Sequence, residues 1–322
     1  MSCSTLFHVL SLNMDNCQGL DMAMAVRTTQ ELPMEGLHRY MQLPQLRLQT
    51  SHVFDSFFIQ TRSDGMRSAS AGSYIGIEGE TMVWAIHRAQ AGYRRGNWTV
   101  FGGMIDDLWV LRQNDLWWNR NQAFGMAERN GWLSRSDIGM AAQYRNERAY
   151  AQVRVSTGEG SNFEERNNGI TTQVLGAVQF GAHEVSVFGQ EGSQGVSSSP
   201  SHRVGMRLSS SDAFGYGLEV MKSWGVQGDS TISPLGVSAW LVRRPTTGLW
   251  GFVRGDLVAY EEPAQANGWL GLGWGLAPFA HIVVATGQQY SWDMGYQSTG
   301  THQWQQSYYI QLQLEQQFFL QQ

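Results

Sequence analysis

The C-terminal run from Tyr308 to Gln322 reads YYIQLQLEQQFFLQQ and alternates apolar and polar residues almost without a slip. Tyr308, Ile310, Leu312, Leu314 and Phe318 fall on one side; Tyr309, Gln311, Gln313, Glu315 and Gln317 fall on the other. A period of two belongs to an extended strand, so this segment offers hydrocarbon to one face and water to the other. The same alternation recurs along most of the chain in blocks of roughly ten residues, the pattern of a transmembrane antiparallel β-barrel.

Composition supports that reading. Only 15% of the 322 residues are charged, against about 25% in an ordinary globular protein. There are 37 glycines, 13 tryptophans and 7 prolines, and Lys222 is the sole lysine. No run of apolar residues is long enough for a membrane-spanning helix. A formal net charge of −5 argues against nucleic acid as a partner.

From Ser136 onward, short turns and long loops alternate, as expected where short turns face the periplasm and long loops the exterior. Eleven strands follow from Ser136 to the C-terminus. Upstream, Leu46–Arg62 reads as one strand and Gly96–Met104 as another. Between them, SYIGIEGETMVWAIHRAQAGY changes parity from Ile75 and Ile77 to Met82, Trp84 and Ile86, which a bulge at Gly79–Glu80 would produce. The expected total is fourteen strands, with sixteen as the alternative. Strands of about 11 residues, rising roughly 3.3 Å each and tilted near 45°, span about 25 Å, the height of the apolar band. Tyr93, Tyr144, Phe180, Trp224, Trp240, Trp250, Tyr260, Trp292, Tyr308 and Phe318 lie near strand ends and are expected in aromatic girdles. A soluble sandwich or propeller, whose strands also alternate, is the competing architecture.

Residues 1–45 stand outside the repeat and read as an N-terminal periplasmic extension that could dock a periplasmic partner or fill the barrel from below. Leu32–Tyr40 has the spacing of a short helix. Leu6–Leu12 is modestly apolar with no basic residue before it, so an export signal has either been removed already or is atypical. Cys3 and Cys17 could pair in an oxidising compartment or remain free; spacing does not decide.

Parity assigns Arg47, Asp55, Asp137, Arg145, Arg148, Arg154, Arg203, Arg207, Glu219, Arg254, Asp256 and Glu315 to the face opposite the apolar one. An arginine on the lipid face at mid-bilayer costs about 2–4 kcal/mol, so these charges must line the lumen. They either face a water-filled passage or pair and stiffen the barrel.

One connection is unlike the rest. Ile105 to Arg135 carries Asp106, Asp107, Arg112, Asp115, Arg120, Glu128 and Arg129 among Leu108, Trp109, Leu116, Trp117, Trp118 and Phe124. Connections longer than about 15 residues are uncommon unless they carry function. Mixed apolar and charged composition suits a loop folded into the lumen, where it would set pore radius and field. An external cap or oligomer contact would have the same composition.

The order TVFGGM, an inserted loop with a DD pair and several arginines, then WLSRSDIGMAAQYRN and a hairpin resembles the bacterial trimeric porin superfamily. The resemblance covers Trp98 to Tyr150 together with the general barrel pattern. It implies a bacterial outer-membrane homotrimer in contact with membrane lipid and lipopolysaccharide, passing ions and small hydrophilic solutes. It also implies that the third loop folds inward, with Asp106, Asp107, Arg112, Asp115, Arg120 and Arg129 at or near the constriction. The chain departs from the superfamily in ending Leu320–Gln321–Gln322 and in a count of fourteen.

No chemistry competes with this. His87, His183, His202, His281 and His302 are scattered, and no G-x-S-x-G nucleophile elbow occurs. The glycine-rich runs lack the lysine of a phosphate-binding loop. Nothing has zinc spacing, so neither metal nor cofactor is expected. The alternative to a channel is a plugged barrel that anchors a protein complex.

Overall fold

The computed structural model describes residues 18–31, 38–67, 82–117, 124–158, 169–194, 199–226, 229–243, 248–260, 264–277, 280–292 and 303–320. Its strands are β1 (Gln18–Glu31), β2 (His38–Phe54), β3 (Phe57–Arg67), β4 (Met82–Arg95), β5 (Trp98–Asp106), β6 (Ser136–Arg145), β7 (Ala149–Ser156) and β8 (Thr171–Phe180). The wall continues with β9 (His183–Gln194), β10 (Ser199–Ser210), β11 (Phe214–Trp224), β12 (Leu235–Arg243), β13 (Gly248–Ala259), β14 (Ala264–Ala277), β15 (Ala280–Trp292) and β16 (Gln303–Leu320). Two helices, α1 (Leu108–Trp117) and α2 (Met126–Arg129), lie between β5 and β6. Each strand pairs antiparallel with its neighbour in sequence, and β16 pairs with β1 to close the barrel. Closure satisfies every edge, which a sheet in hydrocarbon requires.

The barrel class is as expected and the count is not. The described strands number sixteen, the alternative, rather than fourteen. Both missing strands lie near the N-terminus. Leu46–Arg62 is not one strand: the chain reverses at Asp55–Ser56, where Asp55 has φ 55°, and β2 and β3 zip together from Phe54↔Phe57. Aspartate tolerates the left-handed region well enough to turn a hairpin without glycine, so the usual punctuation is missing. Residues 18–31 and 38–45 belong to the wall, not to a periplasmic extension, since β1 pairs with β2 on one side and β16 on the other. Tyr40, expected in a helix, lies in β2. Residues 1–17, 32–37 and 68–81, with Cys3, Cys17 and the expected bulge at Gly79–Glu80, lie outside the described residues. A register shift does occur in the β3–β4 ladder, between Arg62 and Ser63.

Burial is inverted relative to a water-soluble protein. Ile138, Met140, Val187, Leu218, Leu272 and Trp274 are exposed, Met140 to 65%, while Arg62, Arg154, Arg203, Arg207, Glu219 and Arg254 are at most 3% exposed. A continuous apolar exterior around a charged interior is stable only with lipid outside. That disposes of the soluble sandwich and propeller. At the short-turn rim Phe57 meets Tyr93 at 5.0 Å and Trp98 meets Tyr144 at 5.1 Å, forming part of a girdle. Trp240 and Trp250, expected in that girdle, instead face inward and are 4% and 2% exposed. The alternation of β12 and β13 puts them on the same face as Ser238 and Arg254.

Candidate functional site

The connection between β5 and β6 is the third on the long-loop rim, and it folds into the barrel. Its neck is closed by the Asp107 N–H donating to the Arg135 carbonyl at 2.8 Å. Asp107 then caps α1: its Oδ1 accepts from the Val110 N–H at 3.0 Å, satisfying a donor that the first helical turn leaves open. Its Oδ2 accepts from Gln173 Nε2 at 2.7 Å and from Arg154 Nη1 at 3.5 Å, tying the helix start to β7 and β8. Burial raises the Asp107 carboxyl above its ordinary range, against the lowering effect of Arg154 and these hydrogen bonds.

Two apolar clusters hold the loop against the wall. Leu108, Trp109 and Val110 pack with Met126, Ala127, Trp132 and Leu133 of the same loop, and with Tyr150, Leu175, Phe188, Met221 and Val258 of the strands. At the other end of α1, Leu116 and Trp117 pack with Trp240, Val242, Trp250, Phe252, Val283 and Ala285. Glycines on the inner face make room. A Cβ at Gly205 would lie 3.2 Å from the Trp109 ring, and one at Gly236 would lie 2.6 Å from both Met126 Sδ and the Trp132 ring.

Charges knit the same contact. Arg207 donates to Glu219 and, through Nη2, to the Trp109 carbonyl at 3.1 Å, with its guanidinium 3.9 Å from that indole. Such a stacked cation is worth about 2 kcal/mol when desolvated. Arg254 grips Asp256 with both forks, Nε at 2.9 Å and Nη2 at 3.0 Å, and lies 5.2 Å from the Trp117 ring. Arg129 of α2 reaches the same carboxylate at 2.8 Å and covers Trp269 at 4.6 Å. Arg112 of α1 spans to Glu184 of β9 at 2.6 Å, and Arg62 and Arg88 converge on Asp106. Removing one partner of such a pair strands a buried charge at a cost of about 3–5 kcal/mol. Arg203 donates to Ser201 and to the Gly225 carbonyl.

Asp115 is different. Its Oδ2 is enclosed, with no hydrogen-bond partner. Burial pushes its carboxyl up to about 7, aided by Asp106 and opposed by Arg112, Arg62 and Arg88.

The expected site residues sort as follows. Asp106, Arg112 and Asp115 lie near one another inside the barrel, whereas Asp107 and Arg129 are tied to separate stretches of the inner wall; Arg120 lies outside the described residues. Arg154, Arg203, Arg207, Glu219, Arg254 and Asp256 face inward and are buried. Asp55 and Arg148 do not line the lumen: both are exposed in short-rim turns, because the alternation that assigned them stops at the turn. Arg47 lies in β2 opposite Asp64 and Ala23. Arg62, Arg88 and Glu184 were missed. Glu184 alternates with Ser186 and Phe188 on the inner face, a visible signal; Arg62 and Arg88 were hidden by the unseen turn and the register shift.

No family model matches the chain and no curated protein matches it. Solved structures do. An anion-selective porin from Comamonas acidovorans superposes with TM-score 0.69 at 9% identity, covering 94% of this chain and 100% of that one. OmpF of Salmonella typhi gives 0.66 at 10%, covering 94% and 98%. OmpT, an outer membrane protein of Vibrio cholerae in its trimer form, gives 0.64 at 12%, covering 94% and 100%. The fold is therefore that of the bacterial outer-membrane porins. This chain is a porin-like β-barrel whose third loop lies inside the lumen.

Proposed function

We propose that the protein is a porin-like channel of the bacterial outer membrane that passes ions and small hydrophilic solutes through a narrow aperture. The observation that carries this reading is the third loop, anchored within the barrel rather than laid over its mouth. Asp106, Asp107, Arg112, Asp115 and Arg129 form or support the constriction. The described contacts of the loop and its neck lie with β3, β4 and β7–β15. Passage then runs along the opposite arc, β16, β1 and β2, where the polar positions of the last strand are mostly glutamine. Assembly is as a homo-oligomer, in keeping with the trimer form of one structural neighbour. The barrel acts as a passage and not as an enzyme.

A second reading has its own support. Seven arginines of the inner wall and loop, at positions 62, 88, 112, 129, 154, 207 and 254, are ion-paired. Charges that serve a wet passage need no such pairing, whereas a plugged barrel that anchors a complex does. Conductance in a planar bilayer separates the two. Discrete steps from the wild type, growing larger when residues 108–118 are deleted, are the expected result. Steps only after deletion would mean a plugged barrel. Wild-type steps that the deletion leaves unchanged would remove the loop from the constriction.

A further inference from the structure

The arc of wall opposite the third loop is made of β16, β1 and β2, and the register of these strands is regular. Val283 and Ala285 belong to the buried cluster around Trp117 and pair with Gln311 and Tyr309, which places those two positions of β16 on the inner face. On the far side, buried Arg62 pairs with Gln49 and fixes the inner face of β2. From the long-loop side inward, the inner rows across the three strands are Tyr309–Thr29–Tyr40, Gln311–Arg27–Gln42 and Gln313–Ala25–Gln45. Each row has the same residue type on both flanks of β1.

A break in register makes the match. Ala25 pairs with Gln45 but Arg27 pairs with Gln42, so β2 carries an extra residue at Leu43–Pro44. Uninterrupted pairing would have set Leu43 opposite Arg27 and Met41 opposite Thr29. Proline within a sheet is confined to edges and bulges, and a bulge changes which residues fall on each face. Here it brings a glutamine and a tyrosine to the inner rows in place of a leucine and a methionine.

The two flanks of a row lie two strand spacings apart, roughly 10 Å, and successive rows are about 7 Å apart along β16. Charges on the inner rows of this arc are Asp21, Arg27, Glu31, Arg47 and Glu315, cations and carboxylates close to balance. A carboxamide both donates and accepts hydrogen bonds, as a sugar hydroxyl does, and a tyrosine adds an apolar ring face. An ionic solute calls for charged partners instead. We propose that the matched rows bind neutral saccharides in transit. The inference rests on the reading of the lumen as a passage and names the class of solute that the passage takes.

Single-channel recording of the purified full chain in a planar bilayer tests it, with maltotriose as the probe and a polyethylene glycol of similar mass as the control. In the wild type, maltotriose should reduce the ion step along a saturating curve, whereas the glycol should reduce it only in proportion to its concentration. In Gln42→Ala/Gln311→Ala the half-saturating concentration of maltotriose should rise at least tenfold, each protein being scored against its own ion step. Both positions face the lumen, and discrete steps from the variant show that it has folded. Ion steps that maltotriose reduces no differently from the glycol, or equally in wild type and variant, would overturn the saccharide site and leave the channel standing. Absence of any wild-type ion step would remove the channel, and the saccharide site with it.

Discussion

At the scale of single residues, the interior is governed by whether a buried charge has a partner. Asp256 is gripped by Arg254 and Arg129 and receives the Ser238 hydroxyl at 2.5 Å, a carboxylate with its acceptors filled. Asp115 has an enclosed oxygen without a partner, and it titrates near 7 where an ordinary aspartate titrates at 3.8. The unfolded chain releases this proton at the lower value and the folded chain holds it to the higher one. Stability therefore falls as pH rises through that window and levels off above about 7. The rough size is a few kcal/mol, since a tenfold difference in proton affinity corresponds to about 1.4 kcal/mol. Urea midpoints for the wild type should drop between pH 5 and pH 8, and Asp115→Asn should flatten that part of the profile. An unchanged slope in the variant would assign the pH dependence elsewhere. Asp115 was legible as a loop carboxylate; its isolation was not, because isolation depends on which oxygens the fold leaves unfilled.

At the scale of elements, α1 and α2 behave as a built-in part of the wall. The helix cap at Asp107 is local and readable, an acidic residue just before an apolar run. The seat is not local. Gly205 and Gly236 look like ordinary strand glycines until Trp109, Met126 and Trp132 are found above them. Gly236→Val would force side chain onto the Trp132 ring, and overpacking of this kind costs about 1–3 kcal/mol. Hydrogen exchange at residues 126–133 should accelerate in that variant while the strands stay protected. Protection equal to wild type would show that the socket does not hold the loop. The β2–β3 hairpin makes the complementary point. Its turn uses Asp55 in place of glycine or proline, so alternation runs across it and two strands read as one.

At the scale of the whole molecule, closure through β1 is the decisive feature. Ala23 lies opposite Glu315 across the seam. In a chain with Cys3 and Cys17 replaced by serine, Ala23→Cys and Glu315→Cys should form an intramolecular disulfide. Reduction should shift the protein's mobility on a denaturing gel. No cross-link would return residues 18–31 to a separate extension and reopen the count. Alternation of period two by itself determined that the chain is a lipid-facing barrel, and it determined the eleven strands from β6 to β16, because each side chain's face follows from its parity within one strand. The same parity put Arg154, Arg203, Arg207, Glu219, Arg254 and Asp256 inside. Only the tertiary structure decided that β1 completes the wall, that the third loop packs inside it, and that Arg112, Arg154, Arg207 and Arg254 meet carboxylates there. These outcomes depend on contacts between residues far apart in the chain, and such contacts leave no period in the sequence.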